Sequence, residues 1–226
     1  MRRWVGKLSP KIMVTLAICT NRGIKPKTAQ CLLELATYSQ DLHILVAERG
    51  FTIAENRNYC VVQAQKNGSS HILFIDDDMT FPKDTLERLL ACNKEVVGVK
   101  SYSRCFPLAP TTGLQNEKGE YKDPSKHASF EMKMPEELFE AHFIGMGVGL
   151  IDMKVFEKIK KPYFMFTYDG NGQVKDGEDG TFCQKVKKAG MKVWCDPTIP
   201  IGHLGEAEFG EELNNKLAGI YNVNSI

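Results

Sequence analysis

Between residues 12 and 101, apolar runs and helical periodicities alternate without interruption. IMVTLAIC (12–19) is a continuous apolar run, β-branched in part, as expected of a strand buried on both faces. KTAQCLLELATYS (27–39) sets Leu32, Leu35 and Ala36 at helical spacing, and Pro26 suits a first helical turn. HILVAE (43–48) predicts a second strand, and ENRNYCVVQAQKNG (55–68) a second helix closed by Gly68. HILFI (71–75) predicts a third strand. FPKDTLERLLACN (81–93) predicts a third helix, with Pro82 near its start and Leu86, Leu89 and Leu90 on one face. EVVGVKS (95–101) predicts a fourth strand. This order implies an α/β fold with a mainly parallel central sheet and helices on both faces. Sheets of this kind bind ligands at the carboxyl ends of their strands. The segment CTNR, Glu48 and the acidic run Asp76, Asp77 and Asp78 fall there.

The second half is less regular. RCFPLAPTT and the polar QNEKGEYKDPSKH, within 104–141, predict a long connection or a pair of edge strands. FIGMGVGLIDMKVFEKI (143–159) reads as a glycine-studded strand leading into a helix, and YDGNGQVKDGEDG (168–180) as a loop. EDGTFCQKVKKAG (178–190) is an amphipathic helix stopped by Gly190, KVWCD a short last strand, and the final 20 or so residues a polar tail. With 226 residues, 42% hydrophobic and 25% charged, the chain can build one substantial core. A net charge of +1 argues against binding bulk nucleic acid or anionic lipid. No apolar run reaches the length of a membrane span, and no cleavable leader is recognisable, so a soluble, cytoplasmic protein is expected. The seven cysteines are odd in number and form no CxxC pair, which fits small buried side chains in a reducing compartment.

Three successive carboxylates need a counter-charge, because close like charges disfavour ionisation. Along an extended strand Asp76 and Asp78 would share one side and Asp77 the other. Two carboxylates on one side suit a hard divalent cation such as Mg²⁺ or Mn²⁺. The same residues also fit a solvated acidic turn at the start of the next helix.

Two chemistries place Asp-x-Asp at the end of a strand. DDDMT fits the Asp-x-Asp-x-Thr pattern of haloacid-dehalogenase-like phosphohydrolases, with Asp76 as nucleophile and Asp78 as acid/base. That family carries the motif on its first strand, whereas two strand–helix units precede it here. The chain as a whole resembles glycosyltransferases of the GT-A (Rossmann-like) fold, in particular the family-2-like group with a DxD metal motif. The resemblance runs through CTNRG, AENRNYCVVQAQKNGSSHILFIDDDM, GMGVGLIDMKVFEKI, GEDGTFCQKVKKAGMKVWCDP and IGHLG, in that order, over roughly residues 12–205.

The resemblance implies a single GT-A domain over 1–226. Residues 11–101 would form its nucleotide-binding half, 102–205 its acceptor-binding half and 206–226 a C-terminal tail. It implies metal-dependent transfer of a sugar, hexosyltransferase-like, from a UDP- or GDP-sugar to an unidentified acceptor hydroxyl. A non-catalytic nucleotide-sugar-binding domain is a further alternative. Carried over residue by residue, Asp76, Asp78 and His203 would hold Mn²⁺ or Mg²⁺. Cys19, Thr20, Asn21, Glu48, Arg57, Asp76 and Asp77 would face the nucleotide. Arg57 would reach the base or a phosphate, and Asp77 would bracket the ribose chiefly through its backbone. Gly147 and Gly149 would lie on the acceptor and sugar side. Asp179, or alternatively Glu178, would be the general base. Each also has a plainer reading: His203 as a satisfied loop histidine, Arg57 as a surface helix arginine, and Glu178–Asp179 as acids favoured at a helix start.

Overall fold

In the computed structural model, which describes residues 12–48, 50–104, 109–115, 121–122 and 134–206, the alternating pattern folds as strands and helices close to the expected limits. The first half comprises β1 (Val14–Cys19), α1 (Pro26–Tyr38), β2 (Leu42–Ala47), α2 (Ile53–Lys66), β3 (His71–Asp76), β4 (Met79–Thr80), α3 (Thr85–Ala91) and β5 (Val96–Val99). The second half comprises β6 (Leu114–Gln115), β7 (Tyr121–Lys122), β8 (Phe139–Glu140), β9 (Val148–Asp152), α4 (Val155–Lys158), β10 (Thr167–Tyr168), β11 (Val174–Asp176), α5 (Glu178–Lys188), β12 (Trp194–Asp196) and β13 (Gly202–His203). Residues 1–11 with the basic MRRWVGK, Arg49, Cys105, the polar run at 123–133 and the tail from 207 onward lie outside the described residues.

The main sheet has seven strands in the order β2-β1-β3-β9-β5-β12-β8. Five of them, β2, β1, β3, β5 and β12, run in one direction, and only β9 and β8 are reversed. Sequence order alone does not predict β9 between β3 and β5. Its register pairs Phe74 and Gly98 with opposite sides of Gly149. A Cβ at Gly149 would come within 2.9 Å of Met146 Sδ. The second half of the chain therefore supplies a central strand to the sheet of the first, and the two do not separate into independent sheets.

Strand alternation divides the core into two layers. Val14, Leu16 and Ile18 of β1 pack with Leu32 and Leu35 of α1 and Leu86 and Leu89 of α3. Ala17 and Cys19 point the other way, into the layer holding Cys60, Val61 and Ala64 of α2, Phe156 of α4 and Phe182 of α5. Helices thus cover both faces, as the alternating sequence implies. Three local expectations change. Helix α2 starts at Ile53 because Thr52 and Glu55 form a reciprocal capping box, each side chain bonding the other's backbone N–H. The strand within 143–159 is confined to β9, and its helix to the four residues of α4. Part of the loop expected at 168–180 is a hairpin, β10 with β11, closed by Thr167 Oγ1 donating to Asp176 Oδ2 (2.7 Å) and by an Asp169 side chain that accepts two turn N–H groups.

Candidate active site

The extension assumed for the acidic run ends at Asp76. Asp77 and Asp78 form a turn before β4, so the three carboxylates leave the strand in three directions, each with its own partner. Asp76 accepts from Arg57 Nη2 at 3.0 and 3.3 Å. Asp77 accepts from the Thr20 hydroxyl at 2.6 Å, and its carbonyl takes the Lys25 N–H at 2.9 Å. Asp78 meets His203 Nε2 at 3.3 Å through one oxygen and Arg104 Nη1 at 2.6 Å through the other. The charge problem is thereby answered within the protein.

His203 reaches Asp78 because β13 pairs antiparallel with β4, setting Gly202 against Thr80 and His203 against Met79, while the Leu204 N–H donates to the Asp78 carbonyl (2.8 Å). Gly202 is required here: a Cβ would collide with Thr80 Oγ1. Gly202→Ala should cost about 1–3 kcal/mol in thermal unfolding through overpacking, and Thr80→Ala in the same chain should restore most of it. The His203 Nδ1–H donates to the Tyr102 carbonyl (2.8 Å), which turns Nε2 toward Asp78. The hydrogen bond with Asp78 raises the histidine pKa against the opposing effect of burial. Burial works to raise the Asp78 pKa, but the His203 hydrogen bond and the nearby charges of His203, Arg104 and Lys25 prevail and hold it below the usual carboxylate range.

Arg57 is not the surface residue that the sequence alone allowed. It is 1% exposed, and its guanidinium bridges Asp76 of β3 to Glu178 (2.7 Å) and Asp179, which open α5. Its Nε has no partner among the described residues. Phe164 lies 5.9 Å from the guanidinium and stacks on Phe182. The neighbouring Asn58 holds this loop by accepting the N–H groups of Tyr163 and Phe164 and donating to the Phe164 carbonyl. Burial works to lower the Arg57 pKa, but Asp179, Asp76 and Glu178 prevail and raise it, so the group stays charged. Burial likewise raises the Asp76 pKa despite Arg57. Asp179 also accepts the Met146 N–H (2.9 Å). Burial pushes its carboxyl up to about 7, with Arg57 pulling down and Glu178 and Asp76 pushing further up.

Two cavities bear on the site, one at Asp77 and Asp78 and one at Glu178 and Asp179. One of about 550 Å³ is lined by Arg22, Lys25, Asp77, Asp78 and Arg104, among others. The other, about 450 Å³, lies at the start of α5 against the β10–β11 hairpin and is lined by His142, Phe143, Lys175, Glu178 and Asp179, among others. Thr20 and Asn21 close the end of β1, where Asn56 Nδ2 donates to the Thr20 carbonyl and to Asn21 Oδ1, while its own oxygen accepts the Gly50 N–H. Glu48 is exposed just past β2. The Cys19 side chain is buried instead of facing a cavity. Its Sγ is 3.8 Å from Cys60 Sγ, and that contact together with burial pushes the thiol far up. Gly147 accepts the Asp76 N–H at 2.9 Å, and Gly149 is buried within the sheet. Sequence reasoning passed over Arg104, Lys25 and Asn56. The first lies in the irregular segment, and the other two carry no motif of their own.

A family model described as Glycosyl transferase family 2 matches residues 17–159, more than half of the chain, from β1 through α4. The chain belongs to glycosyl transferase family 2. The match covers the three aspartates and Arg57. Glu178, Asp179 and His203 lie beyond it, so their place at the site rests on the geometry above. No curated protein matches this family 2 chain at a significant level. Among solved structures it is similar to A197 from STIV, at 15% identity over 86% of this chain and 87% of that one, with a TM-score of 0.57, a likeness of fold. A Desulfovibrio desulfuricans G20 protein described as a nucleotide-diphospho-sugar transferase aligns at 12% identity over 83% and 80% of the two chains, with a TM-score of 0.42. Among the described residues of the family 2 chain, no three His, Cys, Asp or Glu side chains gather as a metal site, and no helix is long and apolar enough to cross a membrane.

Proposed function

We propose that this family 2 glycosyltransferase moves a sugar, of the hexosyl class, from a UDP- or GDP-sugar to an acceptor hydroxyl in a cytoplasmic setting. One observation carries the reading: Arg57 joins the carboxylate at the end of β3 to the acids that open α5, and cavities of a size suited to small ligands open at Asp77 and Asp78 and at Glu178 and Asp179. The donor's nucleotide and diphosphate occupy the cavity beside Asp77 and Asp78, where Thr20 and Asn21 stand at the strand ends. The acceptor occupies the cavity beside Asp179.

Asp179 takes the proton from the acceptor hydroxyl as it attacks the sugar. A base whose pKa lies near neutrality suits that role. Glu178, on the same guanidinium, is the alternative base.

The donor set also fits a divalent cation. Asp78 Oδ1 and His203 Nε2 are an oxygen and a nitrogen 3.3 Å apart, and the ring is oriented by its bond to the Tyr102 carbonyl, as for many metal-binding histidines. Asp78 and His203 would hold Mn²⁺ or Mg²⁺, with diphosphate and water oxygens completing the shell. Asp76, expected as a further ligand, is engaged by Arg57 instead. When bound, the cation supplies positive charge to the diphosphate as it leaves.

Thermal shift tests this directly. With Mn²⁺ and UDP or GDP at about a hundred times Kd, stabilisation should reach about 2.7 kcal/mol, roughly 5–10 °C for a chain of this size. Nucleotide without Mn²⁺ should do much less. No stabilisation by any nucleotide would remove the donor reading. Slow hydrolysis of a nucleotide sugar separates an enzyme from a non-catalytic binder. The family match favours transfer over the phosphohydrolase alternative, which release of phosphate from an aryl phosphate would instead support.

A further inference from the structure

The carboxylate of Asp78 has two partners, and they differ in how firmly they are held. His203 is fixed by the β4–β13 pairing and by its bond to Tyr102. Arg104 is not. Its side chain is 48% exposed against 9% for Asp78, it stands in the irregular stretch after Tyr102, and its stem rests on Gly205, where an added Cβ would lie 3.6 Å from three of its carbons. It lines the 550 Å³ cavity together with Arg22 and Lys25, and Lys25 is tied to the wall by its bond to the Leu204 carbonyl (3.2 Å).

We propose that Arg104 is an exchangeable counter-ion: it holds Asp78 while the site is empty and moves onto the diphosphate of a bound nucleoside diphosphate when a divalent cation takes its place. The inference rests on the donor reading above and adds to it a residue and an order of contacts. Arg104 is the half-exposed partner of the pair, and the cation that replaces it leaves no unpaired charge on the buried Asp78, so the exchange avoids the cost of breaking a buried pair. A guanidinium matches phosphate oxygens with two parallel hydrogen bonds, which a single carboxylate oxygen does not offer it here. Approach of the anion also removes the reason for Arg104 to remain: a nucleoside diphosphate needs positive charge on its own oxygens, and Asp78 is then served by the incoming cation.

Exchange has a signature that a purely structural arginine lacks. Arg104 competes with the cation when no nucleotide is present, and assists the nucleotide once the cation is bound. The two effects of removing it have opposite signs. Calorimetric titration of the whole chain with Mn²⁺ alone, and then with UDP and with GDP at saturating Mn²⁺, reads both. Arg104→Gln should bind Mn²⁺ alone about threefold more tightly than the unaltered protein, the scale of an exposed ion pair. It should bind the preferred nucleotide about tenfold more weakly, the scale of one charge-assisted contact. Arg104→Lys keeps the charge but not the fork, and should return Mn²⁺ binding to its original value while recovering only part of the nucleotide affinity. If Arg104→Gln weakens both ligands or changes neither, the exchange is wrong and the donor reading stands. Nucleotide affinity indifferent to Mn²⁺ in the unaltered protein also overturns it. An unaltered protein that binds neither Mn²⁺ nor nucleotide overturns the exchange and the donor reading together.

Discussion

Asp179→Asn should lower kcat by roughly 10²–10⁴-fold, the usual contribution of a general base, and leave nucleotide affinity unchanged. Asparagine keeps one acceptor oxygen for Arg57 or the Met146 N–H and sets its NH₂ against the other, so one of the two local hydrogen bonds is lost together with the proton acceptor. The pH profile makes the test sharper. Because burial raises the Asp179 carboxyl to about 7, the basic form accumulates only as pH rises through that value, and kcat/KM of the unaltered enzyme should show an acid limb near neutrality. The limb should vanish from the residual activity of the Asn variant. Equal loss of turnover and nucleotide binding would sink the assignment, and a variant of Glu178 would then be the next to measure.

Arg57→Met should be the most damaging single change for stability. It leaves Asp76, Glu178 and Asp179 facing one another without their shared cation. Breaking a buried pair from one side costs about 3–5 kcal/mol, which for a chain of this length lowers Tm by roughly 6–20 °C. The pH dependence has a definite sign. Asp179 is raised in the folded protein, so its favourable contribution is complete below the unfolded value of 3.8 and is lost as pH rises through about 7. Arg57 opposes that rise, and without it the folded pKa climbs further. The Tm deficit of Arg57→Met should therefore be larger at pH 8 than at pH 5, where the carboxylates can protonate. A deficit independent of pH would mean that lost packing against Phe164, and not charge, is what the substitution removes.

The amino-acid sequence carries the frame of this site well because the frame is periodic. Four of the five strands and the three helices between residues 12 and 101 follow from apolar spacing, and the acidic run falls at a strand end for the same reason. His203 meeting Asp78 follows from the family resemblance, since no local pattern joins residues so far apart, and the β4–β13 pairing provides the physical means. What sequence could not give was direction. Asp76 and Asp78 were expected side by side on an extended strand, but the turn at Asp77–Asp78 aims them at different cations. Arg57 is on a helix whose pattern allows an exposed or an inward side chain at that position, and only the arrival of α5 decides it. Cys19 and Gly149 sit next to candidate motifs yet serve the core, because adjacency along a strand alternates between faces. Arg104 belongs to a segment without periodicity, where side-chain placement depends wholly on tertiary contacts.

The position of β9 bears on how the chain is made. Synthesis delivers β1, β2, β3 and β5 first, but β3 and β5 are joined only through a strand that emerges some fifty residues after β5. Until then both present unpaired backbone edges, a hazard for premature association. The Asp76 N–H, which bonds to Gly147, also lacks its partner until that point. The two groups of parallel strands are thus joined by one late strand, and a ribosome-bound chain halted near residue 101 would hold β1, β2, β3 and β5 without a finished sheet to set them in.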